Sequence, residues 1–309
     1  MITKRAGRNS IQDLQVRLAE YLIQFEEGNQ LPSVRELAAT TRMSIGSVST
    51  ALNSLQEMGA ATIQKRGHMG SLVLSLSRSK LWGVIEKGPM VIGMTLPMHS
   101  RFEGLATGLK RSLDRAGIET YLIFIRGSRT RLKALKDNRC HVAVMSGLAS
   151  EELGQKDFET ILSLPPGSWV SGYSIFYRPS AISQEHAMRV AIDPDSFDHR
   201  RLTELEFEGQ EVQFKSAPFV QFPRLIKNGE VDAILWTTDQ EEAYLGDDIS
   251  YRALSPHVMK MAGDKSISAT LVTRPESTAI RAVFLANIDI DEILAIQKKI
   301  VLGEMIPEY

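Results

Sequence analysis

The sequence predicts an α/β protein in two parts, an N-terminal winged helix-turn-helix followed by a two-lobed, doubly wound α/β body. Three observations carry that expectation. Two capped, apolar-periodic runs, starting at Val34 and Ile45, stand a short turn apart and lead into a basic glycine hairpin, Lys65-Arg66-Gly67-His68-Met69-Gly70. From about Met90 onward, strand and helix signals alternate over short connections, which demands parallel strands joined by crossover helices. Finally, a helix-turn-strand phrase at 135–144 returns at 226–235.

The first helix follows from Ile11, Leu14, Leu18, Tyr21, Leu22 and Phe25, which recur on one face. Leu31-Pro32 closes an extended segment, Ser33 caps the next helix, and Glu36 three residues on completes a capping box. That helix turns Val34, Leu37 and Ala38 inward and stops near Thr41. Ser44 caps a third helix, in which Ile45, Val48, Leu52 and Leu55 form the buried stripe. Its opposite face carries Gly46, Ser47, Thr50 and Asn53, small or polar groups that let a helix sit deep in a major groove.

In the body, 91–96 reads as a buried strand and 102–116 as an amphipathic helix ended by Gly117. A strand at 119–125, a helix at 130–138 and a strand at 141–146 follow. The pattern resumes with a strand at 189–193, a helix at 197–207, a strand at 211–215, a helix at 222–227 and a strand at 231–236. Two further strands, 170–179 and 267–275, both close with Arg-Pro and are expected to cross between the lobes. Helices at 278–285 and 291–301 would complete the first lobe. The expected division is 1–76 for the winged helix-turn-helix, 77–89 for a linker and 90–309 for the body. Lobe one takes about 90–178 and 270–309, lobe two about 179–269.

The run from Leu31 to Val73, with its Leu-Pro-Ser-x-Arg-x-Leu-Ala segment and basic wing, resembles the winged-helix domain of GntR-type transcription regulators. The resemblance implies that Arg35 clamps a phosphate or a guanine edge and that Ser44, Ser47 and Thr50 lie against the groove. Gly67, His68 and Gly70 would form the wing tip over the minor groove. Members of that family often carry arginines where this chain has Ile45 and Ser49, which shifts weight here to Arg35, Lys65 and Arg66. The alternative readings are a surface pair of Arg35 with Glu36, and ordinary hairpin charges at Lys65 and Arg66. The repeated turn-then-strand phrase resembles the two-lobed (type II) periplasmic-binding-protein-like fold that serves many regulators as an effector domain. The two parts together resemble the YhfZ-type regulators.

Open α/β sheets bind ligands beyond the carboxyl ends of their strands, near helix N-termini. The candidates there are Ser100, Arg101 and Ser146 in lobe one and Asp193, Ser216 and Thr237 in lobe two. Ser100-Arg101 opens a helix and therefore suits an anionic group, since free backbone N–H groups and a cation converge there. Trp236 reads as core or cleft wall.

A net charge of -1 hides an asymmetry: residues 1–80 hold ten Lys/Arg against six Asp/Glu, so the excess of acid lies in the remainder. A basic module on an acidic body is expected when one end approaches phosphates. No apolar run is long enough for a membrane span, and the basic start leads into an amphipathic helix rather than a signal peptide. The single cysteine, Cys140, fits a reducing cytosol and a packing role, and the six histidines show no metal-ligand spacing. No metal, cofactor or catalytic residue is expected. A pyridoxal enzyme needs a larger body, and no Gly-x-Ser-x-Gly, Walker or His-Glu motif occurs. The expected partners are a double-stranded DNA operator, a small-molecule effector and a second copy of the chain in a homodimer, with no membrane. The dimer contact is expected on the effector domain, with Leu81, Trp82, Val84 and Ile85 of the linker as a further candidate surface. The alternative is a winged-helix protein with an enzymatic or purely dimerising C-terminal domain.

Overall fold

The computed structural model describes residues 11–66, 70–86, 88–154, 157–181, 187–240 and 248–309. The basic start and the wing residues Gly67 and His68 lie outside the described residues. By its contacts the chain forms two compact units. One holds the residues up to Met90 with Ser112–Thr120 and Glu276–Ile288; the other holds Val91–Arg111, Tyr121–Pro275 and Asp289–Tyr309.

In the first unit, α1 (Ile11–Leu22) buries Leu14, Leu18, Ala19 and Leu22. A short β1 (Gln30–Leu31) precedes α2 (Val34–Thr41), where the capping box forms: Ser33 Oγ accepts from Glu36 N at 3.2 Å, and the Glu36 carboxylate accepts from Ser33 N at 2.7 Å. Arg42, in the left-handed region at φ 57°, ends α2, and Ser44 caps α3 (Ile45–Glu57) by accepting from Ser47 N at 3.0 Å. Val48, Ala51, Leu52 and Leu55 of α3 are buried, and the helix packs on α1 and α2. Ile45, expected in that stripe, is instead 51% exposed. Helical side chains lean toward the N-terminus, so a residue at the first helical position reaches past the helix instead of over a preceding turn.

The wing is β2 (Ala61–Lys65) and β3 (Ser71–Leu76), in an antiparallel sheet of order β1-β3-β2. Arg66 N donates to Gly70 O at 2.9 Å across the hairpin. Gly70 sits at φ 83°, and a Cβ there would stand 3.0 Å from the Leu31 carbonyl oxygen, so only glycine fits. The segment expected to be linker contains a helix, α4 (Arg78–Ile85), capped by Ser77. Leu81, Trp82 and Ile85 are buried within the protomer, and α4 packs on α1. They are therefore not the exposed dimer contact expected of a linker; their i, i+1, i+4 spacing is a helical stripe.

The second unit is built on two sheets. The first uses β4 (Met90–Met94), β5 (Thr120–Phe124), β6 (Val142–Ser146) and β7 (Glu159–Pro166), connected by α5 (Ser100–Arg115), α6 (Ser128–Lys136) and α7 (Gly147–Gly154). The chain then passes to β8 (Tyr173–Tyr177), β9 (Met188–Ile192), α8 (Phe197–Glu206), β10 (Val212–Ser216), α9 (Phe222–Lys227), β11 (Ala233–Thr237) and β12 (Ser250–Ala253). After α10 (Pro256–Ile267) it returns through β13 (Ser268–Thr273), and α11 (Thr278–Asn287) and α12 (Ile290–Val301) follow. The sheet orders are β5-β4-β6-β13-β7 and β10-β9-β11-β8-β12.

Both sheets are mixed rather than wholly parallel. β4 pairs with β6, and β9 with β10 and β11, in parallel; β13 runs antiparallel to β6, and β8 antiparallel to β11. The two antiparallel strands arrive from the other lobe, β13 by way of α10, and not from a neighbouring parallel strand of the same sheet, so the parallel-crossover rule does not bind them. For the same reason β8 lies wholly in the second sheet, and the outward crossing comes just before it. Helix α11, expected in the first lobe, has its contacts in the N-terminal unit, against α1 and α4.

The lobes repeat a detailed plan. Asn138 (φ 58°) ends α6 as Gly229 (φ 69°) ends α9, and Arg139 N and Glu230 N each donate back into their helix at 2.9 Å. His141 Nδ1 accepts from Val91 N at 2.9 Å, and the corresponding Asp232 Oδ2 accepts from Arg189 N at 2.8 Å. The two Arg-Pro arginines close the equivalence: Arg274 donates to Leu135 O at the end of α6, and Arg178 to Ile226 O at the end of α9.

Candidate functional site

The N-terminal unit exposes several basic and polar side chains on α2, α3 and the wing. Arg35 on α2 is exposed, and Glu36 does not pair with it because the Glu36 carboxylate holds Ser33 N; that bond lowers the carboxyl below its ordinary pKa. Lys65 and Arg66 are exposed at the end of β2, in the wing hairpin. Ser44 and Thr50 are exposed on α3 and Ser47 half-buried, while Gly70 closes the hairpin. These candidates stand on α2, α3 and the wing hairpin.

In the second unit, a cavity of about 40 Å³ lies at the carboxyl ends of the strands. From the first lobe come Thr95, His99 and Phe102, at and after the end of β4, and Gly127, Ser128 and Arg131 at the start of α6. Trp169 comes from the crossing segment and Tyr173 from the start of β8; Ser196, Asp198 and His199 come from the start of α8, and Phe219, Trp236 and Thr237 also line the wall. The walls are aromatic: His99 stacks on Phe102 with ring centres 4.0 Å apart, and His199 on Phe219 at 4.7 Å. Burial holds both imidazoles down at about 4, so both are neutral near pH 7. Burial also raises the Asp198 carboxyl to about 6 and lowers the Arg131 guanidinium to about 10, which leaves Arg131 charged.

The polar groups of this cavity are underused. Among the described residues, buried side-chain atoms without a hydrogen-bond partner include both ring nitrogens of His99, Ser128 Oγ, Arg131 Nε and Trp236 Nε1, all on cavity residues. Each such orphan costs on the order of 1–3 kcal/mol unless something binds it. Arg131 Nε and Trp236 Nε1 can only donate, so any group that pairs with them must bring acceptors. A wider groove, about 570 Å³, runs beside β7 and β13, but none of these unpartnered atoms lines it.

Of the six candidates for ligand contact, Thr237 lines the cavity. Arg101 stands next to His99 yet is committed elsewhere: its Nε donates to Asp239 Oδ1 at 2.8 Å and a terminal nitrogen to Gly167 O at 2.7 Å. Ser146 supports the wall from behind, donating to Asp198 Oδ1 at 2.6 Å. Asp193 is held by Arg126 at 2.8 Å and by Phe219 N at 2.8 Å. Ser100 and Ser216 are not among the lining residues. The sequence reading missed Ser128, Arg131, Asp198 and His99. The signal for the first three was present in Gly127-Ser128 and Ser196, which open helices just after strands. Cys140, 1% exposed, has its thiol pushed up to about 11 by burial, which suits packing and not nucleophilic chemistry.

Comparison with known proteins bears on both units. The family described as YhfZ C-terminal domain matches residues 77–309, and that described as Helix-turn-helix domain matches residues 26–73. The chain is 30% identical over 295 residues to a YhfZ protein of Escherichia coli (strain K12), spanning 94% of this chain and 95% of that protein. The crystal structure of YhfZ from Shigella flexneri is similar at 27% identity with a TM-score of 0.61, over 75% of this chain and 98% of that one. The periplasmic domain of BvgS from Bordetella pertussis shares the two-lobed fold at 15% identity with a TM-score of 0.50, over 74% of this chain and 46% of that one. No helix among the described residues is long and apolar enough to cross a membrane.

Proposed function

This chain belongs to the YhfZ family, and from that premise we propose that it is a ligand-responsive, sequence-specific DNA-binding transcription regulator. Residues 1–76 read the operator and residues 90–309 sense a small effector, with the effector bearing an anionic or otherwise acceptor-rich group. The observation that carries this reading is the convergence of unpartnered buried donors on one cavity, in a chain that also carries a helix-turn-helix domain. Arg131 is the anchor in place of Arg101, with Trp236, Ser128, His99 and Thr237 around it. The site works by binding, not catalysis, and its partner DNA puts it in the cytoplasm. A two-lobed body changes its closure on binding, and a coupling of 1–3 kcal/mol, the order typical of allostery, is enough to alter DNA affinity. Two copies are needed, since one winged helix covers only a few base pairs and operators pair half-sites about one helical turn apart.

Two measurements test this. Arg35→Ala, and Lys65→Ala with Arg66→Ala, are expected to weaken binding to a duplex selected from a random library by about 1–3 kcal/mol for a base contact, or to flatten its salt dependence for phosphate contacts. Undiminished binding at moderate salt in both variants removes this reading surface. Arg131→Met is expected to lower the affinity for a small carboxylate found by thermal shift at least tenfold, as loss of a charged hydrogen bond implies, while ligand-free DNA binding persists. Equal ligand affinity in variant and parent overturns the site.

A further inference from the structure

Most of the exposed side chains at the start of α3 are already spoken for. Ser44 Oγ caps Ser47 N at 3.0 Å, and the two hydroxyls bond each other at 2.8 Å. Between Ser44 and Asn53 the helix carries no charge. Ile45 remains, 51% exposed, at the end of the helix whose N-terminal residues face base edges in this architecture. Beside it stands Gly46, where a Cβ would meet nothing closer than Ser44 Oγ at 3.8 Å. Nothing in the protein's own packing requires that glycine. Its missing side chain instead leaves room for an outside surface to come close. Exposed Arg35, Lys65 and Arg66 on the neighbouring elements give that surface its charge: a polyanion, duplex DNA.

We propose that Ile45 reads the C5 methyl group of a thymine in the major groove, with Gly46 letting the helix backbone approach. The inference rests on the DNA-binding reading above and names what that surface selects. Among the groups on the floor of the major groove, only thymine offers an apolar one; an isoleucine there gains from that methyl and gives nothing to the donors and acceptors of the other bases. The half-exposed aliphatic side chain thereby leaves water on binding.

The test uses the full-length protein and a duplex selected from a random library, with thymines replaced one at a time by deoxyuridine, which lacks only the methyl. In the parent, one thymine in each half-site is expected to be sensitive, with affinity falling about fourfold, the worth of one methyl removed from water. Ile45→Ala binds the thymine duplex more weakly and no longer distinguishes it from the deoxyuridine duplex at that position. Gly46→Ala melts no lower than the parent yet binds every duplex more weakly. Tolerance of every deoxyuridine by the parent, or undiminished sensitivity in Ile45→Ala, overturns the methyl contact while leaving DNA binding in place. Failure to bind any duplex would instead overturn the regulator reading itself.

Discussion

Stability is expected to fall steeply as pH drops from about 6.5 to 4, and His99 and His199 are expected to be the main cause. Both rings lie in the aromatic wall of the cavity and are held at about 4 by burial, against an ordinary 6.5. For His99 the neighbouring Asp239 opposes the shift and Arg101 adds to it; for His199, Asp193 opposes it. Within that window the unfolded chain takes up protons that the folded chain refuses. The stabilisation is therefore complete above 6.5 and is lost as pH falls through the folded value, to a maximum of about 3 kcal/mol per ring. Asp198 works the other way. Its carboxyl, raised by burial to about 6, takes up its proton in the folded state first, so lowering pH through that range favours folding. Denaturant titrations at pH 7.5, 6, 5 and 4.5 separate these contributions. His199→Phe, which preserves the stack on Phe219, flattens the profile, and Asp198→Asn steepens it while raising stability at pH 7.5. A parallel shift of the His199→Phe curve at every pH sinks this account of the acid sensitivity.

Gly104→Ala is expected to be a damaging small substitution in the body. A Cβ at Gly104 would stand 2.7 Å from Gln297 Cα and 3.1 Å from Gln297 O, so backbone would have to shift. Gln297 has no freedom to yield, because its side-chain amide donates to Arg101 O at 2.9 Å and Ser168 O at 2.8 Å, tying α12 to the start of α5 and to the crossing segment. Overpacking of this kind costs about 1–3 kcal/mol, and the melting temperature is expected to drop by roughly 2–4 °C for each kcal/mol. Gly108→Ala, one turn on, would meet Ile293 Cγ2 at 3.0 Å and the Ile293 backbone Cα at 3.2 Å, and should cost less because its backbone contact is looser than the 2.7 Å at Gly104. Gly83→Ala on α4 is the control: nothing stands within 4 Å of its Cβ, so helix propensity alone acts and stability is expected to hold or rise. A Gly104→Ala protein as stable as the Gly83→Ala control would show that α5 and α12 do not pack this closely.

What the sequence determined by itself was local. Ser33 with Glu36 and Ser44 with its following stripe set the starts of α2 and α3, because a cap and a 3.6-residue period are satisfied within one turn of chain. The phrase repeated at 135–144 and 226–235 announced two lobes on one plan, and the structure extends it to the arginines that close each helix end. What only the tertiary structure decided was which side chains were left with work to do. Arg101 looked available at a helix start, but Asp239, 138 residues away, takes its guanidinium. Ile45 matched the buried period, yet it stands 51% exposed at the first position of that helix. Leu81, Trp82 and Ile85 looked like exposed linker until α1 and α11 covered them. Arg131, Asp198 and His99 come from three separate helix starts and face one cavity only after both sheets have formed. Periodicity reports which face of an element is apolar. Whether a given polar or apolar group is then satisfied depends on partners distant in sequence, and that is fixed by packing.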